Sequence, residues 1–270
     1  MVGTTRRDRW KWLRFTVALV VTALALAPIA VIFVLAFRAP GRGNGFLGLS
    51  AETLIDVFRY SDTARWLANS LAVTLATVAV CIVVAAPAGY VISRGRSRLL
   101  SGYALLLFVI QSLPVITAVI PLFILFVGLH LVDSLLGLTI IYVGSSLTVA
   151  TWMIASYMDS IPASLDEAAW LDGVSTFGVF RRIVLPNSWP GVLSTAIFTF
   201  LLSWNDYLVA VVFLRSQSKY TLPIALDIFG PGSAAGSSVA LVAMAPAILL
   251  FAVGHRYFSV GGIGGALVGE

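Results

Sequence analysis

Between Phe15 and Phe37 the chain runs 23 residues without a charge, and five more apolar stretches follow, with Asp206 as their one charge: Leu67–Ile92, Tyr103–Leu129, Leu135–Tyr157, Gly191–Leu214 and about 234–253. About 20 apolar residues in a helix cross the hydrocarbon of a bilayer. No water is available there, so each backbone N–H and C=O must be paired within the segment, which leaves helices or a closed barrel. Runs of this length and hydropathy fit helices. Charged residues make up only 11% of the chain, against about 25% in soluble domains. The expectation is an all-α polytopic membrane protein with a six-helix transmembrane bundle. Pro28, Pro87, Pro114, Pro121 and Pro246 fall inside the spans. Prolines are tolerated there when neighbouring helices cover the freed carbonyls, which favours a packed bundle over separate helices.

The chain divides into an N-tail (1–14), a transmembrane domain (15–258) that contains a polar loop at 159–190, and a C-tail (259–270). The start, "TTRRDRWKWLR" before an apolar run, has the look of a signal peptide. Its apolar run exceeds the usual 7–15 residues, so it reads as a retained first span. Basic residues set orientation. With the N-terminus inside, eleven Lys and Arg lie in inner segments and six in outer ones, which favours both termini in the cytoplasm. The 159–190 loop is then cytoplasmic too. In the outer segment "SAETLIDVFRY" (50–60) reads as a short amphipathic helix. Cys81 is the single cysteine, and His130 and His255 are far apart, so no metal-ligand pattern exists.

The polar loop carries a helix signal. Ser164 is followed three residues later by Glu167, the spacing of a capping box. Pro162 precedes it, Ala168, Ala169 and Leu171 favour helix, and Gly173 offers a break. Phe177, Val179, Phe180, Ile183, Val184 and Leu185 form a second apolar run, and Pro186 and Pro190 bracket the entry to the fifth span. Two readings fit: a surface helix that links two spans, or a handle whose apolar face is buried on a partner.

The stretch "EAAWLDGVSTFGVFRRIVLPNSWPG" resembles the EAA loop of ABC importer permeases, with Glu167, Ala168, Ala169, Asp172, Gly173, Phe180, Ile183, Leu185, Pro186 and Pro190 in register and Val174 where Ala is usual. "NSLAVTLATVAV" (69–80), "SWNDYLVAVVFL" (203–214) and "TLPIAL" (221–226) are similar to segments of the carbohydrate-uptake branch, the maltose-type second permease. The resemblance implies a bundle of the type I importer kind. It also implies a coupling helix built on Glu167, Ala168, Ala169, Asp172, Gly173, Leu185 and Pro186, which docks on an ATPase dimer. Further implied partners are a second homologous permease and an extracytoplasmic solute-binding protein. ATP and Mg would sit on the ATPase, and this chain would bind no cofactor itself. Permeases for polyamine or phosphate share the loop and stay open as alternatives.

A Walker-type loop needs Gly-Lys-Ser/Thr, and the two lysines, Lys11 and Lys219, follow Trp10 and Ser218. ATP hydrolysis therefore has to come from another chain. An intramembrane protease would need a Ser–His pair within the bilayer, and both histidines sit at span ends. An ion-coupled carrier would bury several ionisable groups along its path, whereas Asp206 is the one acid well inside a span. Trp204, Asn205, Asp206 and Tyr207 combine rings with hydrogen-bonding groups, which suits a sugar path. A helix-to-helix structural contact fits Asp206 as well, and in isolation its replacement by Leu would relieve a buried charge.

The orientation is tested by a membrane-impermeant maleimide on intact cells. A cysteine at Ser61 is expected to be labelled, and cysteines at Ser97 and Ser175 are not. Labelling at position 175 contradicts the inside placement of the loop.

Overall fold

The computed structural model describes residues 4–38, 50–112, 114–230 and 232–261, with side chains from Trp10 to Gly254. The described residues are helical and contain no strand. The chain falls into two compact units, 1–63 with 226–244, and 64–225 with 245–270.

The first unit holds α1 (Thr4–Ala36) and α2 (Glu52–Tyr60). The helix already begins at Thr4, so the described part of the expected N-tail is continuous with the first span. Apolar side chains of α1 such as Leu24 and Phe33 stay exposed, as suits a helix facing lipid or another subunit. Ser238, in α13 (Ala234–Gly261), donates its hydroxyl to the carbonyl of Ala36 at 3.3 Å. α2 buries Val57 and exposes Ile55 and Tyr60, the two-sided pattern of an interfacial helix.

The second unit is built on α3 (Thr63–Arg94), α6 (Leu135–Asp159) and α10 (Trp189–Trp204). Small residues let these helices meet closely. A Cβ on Gly191 would lie 2.3 Å from the ring of Tyr157, and one on Gly89 would lie 3.0 Å from the backbone nitrogen of Ala155. Hydroxyls within the spans bond to their own helix: Thr77 to Val73, Thr151 to Leu147 and Thr195 to Gly191, each at 2.8 Å.

Two of the six apolar segments are not single helices. The third is split into α4 (Arg98–Gln111) and α5 (Val115–Gly128). Pro114 lacks a donor and is itself extended, with φ of −60° and ψ of 130°, so α5 starts afresh after it. Pro121 sits inside α5 without breaking it. The fifth segment is broken at Asn205–Tyr207 into α10 and α11 (Leu208–Phe213). Four described helices are individually long and apolar enough to span, and α4 with α5, bent by 92° at the break, counts as a fifth only if the pair is one span. α12 (Leu222–Phe229) follows a short loop. Most of the expected C-tail, from 262 on, lies outside the described residues.

At the end of the unit where α3 begins, Asp133 organises the turns. Its backbone has φ of 55°, as does that of His130 at 53°. Its carboxylate accepts the N–H groups of Arg215 and Ser216, both at 2.9 Å, the Ser216 hydroxyl, and the Lys219 ammonium at 3.1 Å. Burial on its own would raise the Asp133 carboxyl, but the bonds from Ser216, Arg215 and Lys219 outweigh it and hold the group well below the usual carboxylate range. The same loop is fastened to α3 by Trp66, whose indole N–H donates to the Gln217 carbonyl at 2.7 Å, and by Asn69, which donates to the carbonyls of Ser218 and Tyr220.

A depressed carboxyl stabilises the fold above its unfolded value of about 4 and loses that contribution as pH falls through the lower folded value. Asp133→Ala is therefore expected to lower unfolding stability by about 2 kcal/mol at neutral pH, the scale of hydrogen bonds to a charged group. The difference from wild type should shrink as the pH drops below about 4. Thermal unfolding of the purified complex across pH checks this, and a pH-independent difference contradicts it.

Candidate functional site

The polar loop folds into α7 (Ser164–Leu171), α8 (Thr176–Val179), a π-helical turn at Phe180–Val184, and α9 (Leu185–Asn187), which leads into α10. The expected capping box does not form. Ser164 lies inside the first turn, and no side chain caps α7. The N–H groups of Leu165, Asp166 and Glu167 are taken instead by the carbonyls of Pro162 and Ala163 at 3.0–3.2 Å. A turn of backbone before the helix has replaced the side-chain cap.

α7 ends as the glycine suggested. Gly173 has φ of +81°. Its N–H bonds to the Trp170 carbonyl at 3.0 Å, and the Val174 N–H reaches back to Ala169 at 2.9 Å. This pair of bonds is a Schellman motif, and the αL residue it needs is usually glycine. Ser175 then caps α8 through the Gly178 N–H. Farther on, Pro186 has no N–H for the carbonyl of Arg182. The backbone widens just before it, and the Leu185 N–H bonds five residues back to Phe180. Asn187 and Ser188 side chains cover the carbonyls of Ile183 and Val184 at 2.6 and 2.7 Å.

The two faces of α7 differ sharply. Glu167, Ala168, Asp172, Gly173 and Pro186 are exposed, Ala169 is buried, and Leu185 is half-buried against the same apolar cluster as Ala169. Leu171 is 90% exposed and Trp170 45%, with Leu165 and Phe177 also open. Pattern reading of the motif had not singled out this apolar surface.

Asp166 reads in sequence as an acid in the first turn of a helix, and its buried pairing does not show there. It is 1% exposed and paired with Arg94 at 3.0 Å, and the Tyr90 hydroxyl donates to the same oxygen at 3.1 Å. Arg94 further donates to the carbonyls of Met158 at 3.1 Å and Ile161 at 3.0 Å. The ring of Tyr90 packs on Phe180, with centroids 5.3 Å apart. The available signals were an acid beside Glu167 and an arginine at the last residue of a span.

The four residues 204–207 do not form one polar cluster. Trp204 is buried and stacked on Phe200 at 5.4 Å, Asn205 is exposed, and Tyr207 is half-buried in an apolar cluster. Asp206 sits in the helix break. Its Oδ1 accepts the Tyr142 hydroxyl at 2.9 Å and the N–H groups of Val209 at 3.0 Å and Ala210 at 3.3 Å. It therefore caps the first turn of α11, whose donors on the buried Val209 and Ala210 would otherwise be left without this partner. Removing the carboxylate is thus costly, contrary to the expectation from burial alone. Asp206→Leu is expected to destabilise the purified protein by about 1–2 kcal/mol, as loss of an N-cap does, while Asp206→Asn, itself a good cap, should stay near wild type. Equal melting of all three proteins contradicts the capping role.

The chain has relatives among known proteins. The family described as binding-protein-dependent transport system inner membrane component matches residues 82–260. The trehalose transport system permease protein SugB of Mycobacterium tuberculosis (strain CDC 1551 / Oshkosh) is 30% identical over 247 residues, 86% of this chain and 89% of that protein. The galactooligosaccharides transport system permease protein GanQ of Bacillus subtilis (strain 168) is 32% identical over 203 residues, 73% of this chain and 71% of the relative. A crystal structure of a bacterial ABC transporter involved in the import of the acidic polysaccharide alginate superposes with a TM-score of 0.80 at 21% identity, over 96% of this chain and 100% of the other. With its apolar helices and its match over most of its length, the chain belongs to the binding-protein-dependent transport system inner membrane components: it is a multi-pass ABC transporter permease and not an enzyme.

Proposed function

We propose that this permease takes up a sugar handed over by an extracytoplasmic binding protein, and that α7 is the handle through which a separate ATPase drives it. The observation that carries the handle is the division of α7 into a buried, ion-paired side at Asp166 and an open side at Glu167, Trp170 and Leu171. A linker helix would have no reason to leave a leucine 90% exposed in water beside carboxylates. A subunit cleft covers such a patch, with an apolar centre and a polar rim. Glu167 and Asp172 then meet basic groups or backbone N–H groups of the ATPase. Support for a sugar comes from the relatives that carry trehalose and galactooligosaccharides.

A second, homologous permease completes the pathway, ATP and Mg reside on the ATPase pair, and the termini and the loop lie in the cytoplasm. When ATP closes the ATPase pair, α7 moves and the cavity opens outward to the loaded binding protein. Hydrolysis resets it. In the membrane, the break at Asn205–Tyr207 is the place where a span departs from a plain helix. Discontinuous helices of this kind frame substrate sites in transporters, and the exposed Asn205 beside the half-buried Asp206 offers groups for sugar hydroxyls.

Leu171→Asp puts a charge in the centre of the docking patch. Gly173→Val forces a β-branched residue into the αL region, at about 1–2 kcal/mol for the conformation alone. Both proteins are expected to insert normally and to lose the ATPase on purification, with uptake abolished. Full ATPase retention and normal transport in Leu171→Asp would overturn the docking role of α7.

A further inference from the structure

Three residues near the end of α3 lie on one helical face at i, i+3 and i+4: Tyr90, Ser93 and Arg94. Each reaches a different neighbour. Tyr90 touches Asp166 of α7 and Phe180 of the π turn. Ser93 donates to Asp159 at the end of α6 at 2.6 Å. Arg94 spreads its fork over three segments: Nε to Asp166, Nη1 to the Met158 carbonyl and Ser93, and Nη2 to the Ile161 carbonyl. Met158 and Ile161 belong to the last turn of α6 and the residues just after it. Carbonyls there have no partner within the helix, and a cation is favoured beside them.

We infer that Arg94 is the positioning residue that joins α7 to α3 and α6, so that movement imposed on α7 is delivered to these two spans directly through the Arg94–Asp166 pair. α7 follows α6 after only the four residues 160–163 and has no covalent link to α3 nearby, while its covalent route to α10 is a poor lever by comparison. It passes through the Gly173 turn, a four-residue helix, a π turn and a three-residue helix. The noncovalent route is direct: Ala169 packs with Ala86, Tyr90 and Ile154 in one buried cluster, and beside it lies the polar contact between side chains exposed by only 14% and 1%. A buried ion pair adds little to stability over apolar residues of the same size, but its hydrogen-bond geometry can fix one arrangement. Here the guanidinium fork fixes the placement of α7 against two span ends at once. Lysine carries the charge and cannot make that set of bonds.

The inference rests on the reading of α7 as the ATPase handle, and its test separates the two. The assembled transporter is purified with Asp166→Asn, which keeps size and the Tyr90 bond but loses the charge, and with Arg94→Lys. In each, ATPase retention and solute imported per ATP hydrolysed are measured in proteoliposomes. The expected result is a retained ATPase that still hydrolyses ATP, with import per ATP lower by about ten- to a hundredfold, the size of a typical coupling free energy. Unchanged import per ATP in both variants overturns the inference. If Leu171→Asp sheds the ATPase while both variants import normally, only the role of Arg94 is lost. If Leu171→Asp keeps the ATPase, the handle itself is wrong. Should neither variant assemble, spin labels at Val91 of α3 and Ser164 of α7, both exposed, decide it in the otherwise unaltered complex. Their separation is expected to stay the same with and without ATP, because the two helices move as one body, and a nucleotide-dependent change overturns the inference.

Discussion

A carboxylate that is 1% exposed and a guanidinium that is 14% exposed need each other. In a chain with 11% charged residues, few charges are spare, and burying one without a partner would cost several kcal/mol. Asp166 and Arg94 remove that cost mutually. In doing so they fix where α7 stands against α3 and α6. With the packing of Ala169 in the buried cluster, that contact places the exposed side of α7 and its apolar residues Trp170 and Leu171. The opposite end of the unit is held in a similar way, with Asp133 gathering the loop that precedes Thr221 and Lys219 closing over it.

Between these two ends the governing constraint is the satisfaction of backbone groups without water. Each interruption of regular helix carries its own remedy. The break after Trp204 frees N–H groups at the start of α11, and Asp206 caps them. Pro186 deprives a carbonyl of its donor, and the chain answers with a π turn and side-chain bonds from Asn187 and Ser188. Irregular backbone of this sort recurs at functional positions. Both interruptions lie on the path from the polar loop into the α10–α11 segment, where a transporter must bend.

The apolar runs and the loop were legible because they depend on period and composition, which are local. Gly173 was legible because a helix ending in a left-handed residue has a strong residue preference. Other features needed the third dimension. The Ser164–Glu167 spacing matched a capping box, but the carbonyls of Pro162 and Ala163 reached the donors first. Arg94 had a visible charge and counted only toward orientation. Nothing in its neighbours in sequence indicates that its partner lies 72 residues away. Asp206 was recognised as a costly charge, yet its beneficiary, the first turn of α11, exists only because the helix breaks there. Pro114 stood in plain view inside a run of apolar residues, as Pro121 did, and the sequence alone does not say which proline ends its helix.

The docking of α7 on an ATPase follows from exposure and charge on a helix of eight residues. It is tested most directly by placing a photo-activatable amino acid at Leu171 in the intact transporter and illuminating it in the membrane. A helix seated in the ATPase yields a covalent adduct with the ATPase chain, and the same label at Leu24 of α1, which is also exposed but lies in the first span, does not. An ATPase adduct absent at position 171, or one of equal yield from both positions, would contradict the docking of α7.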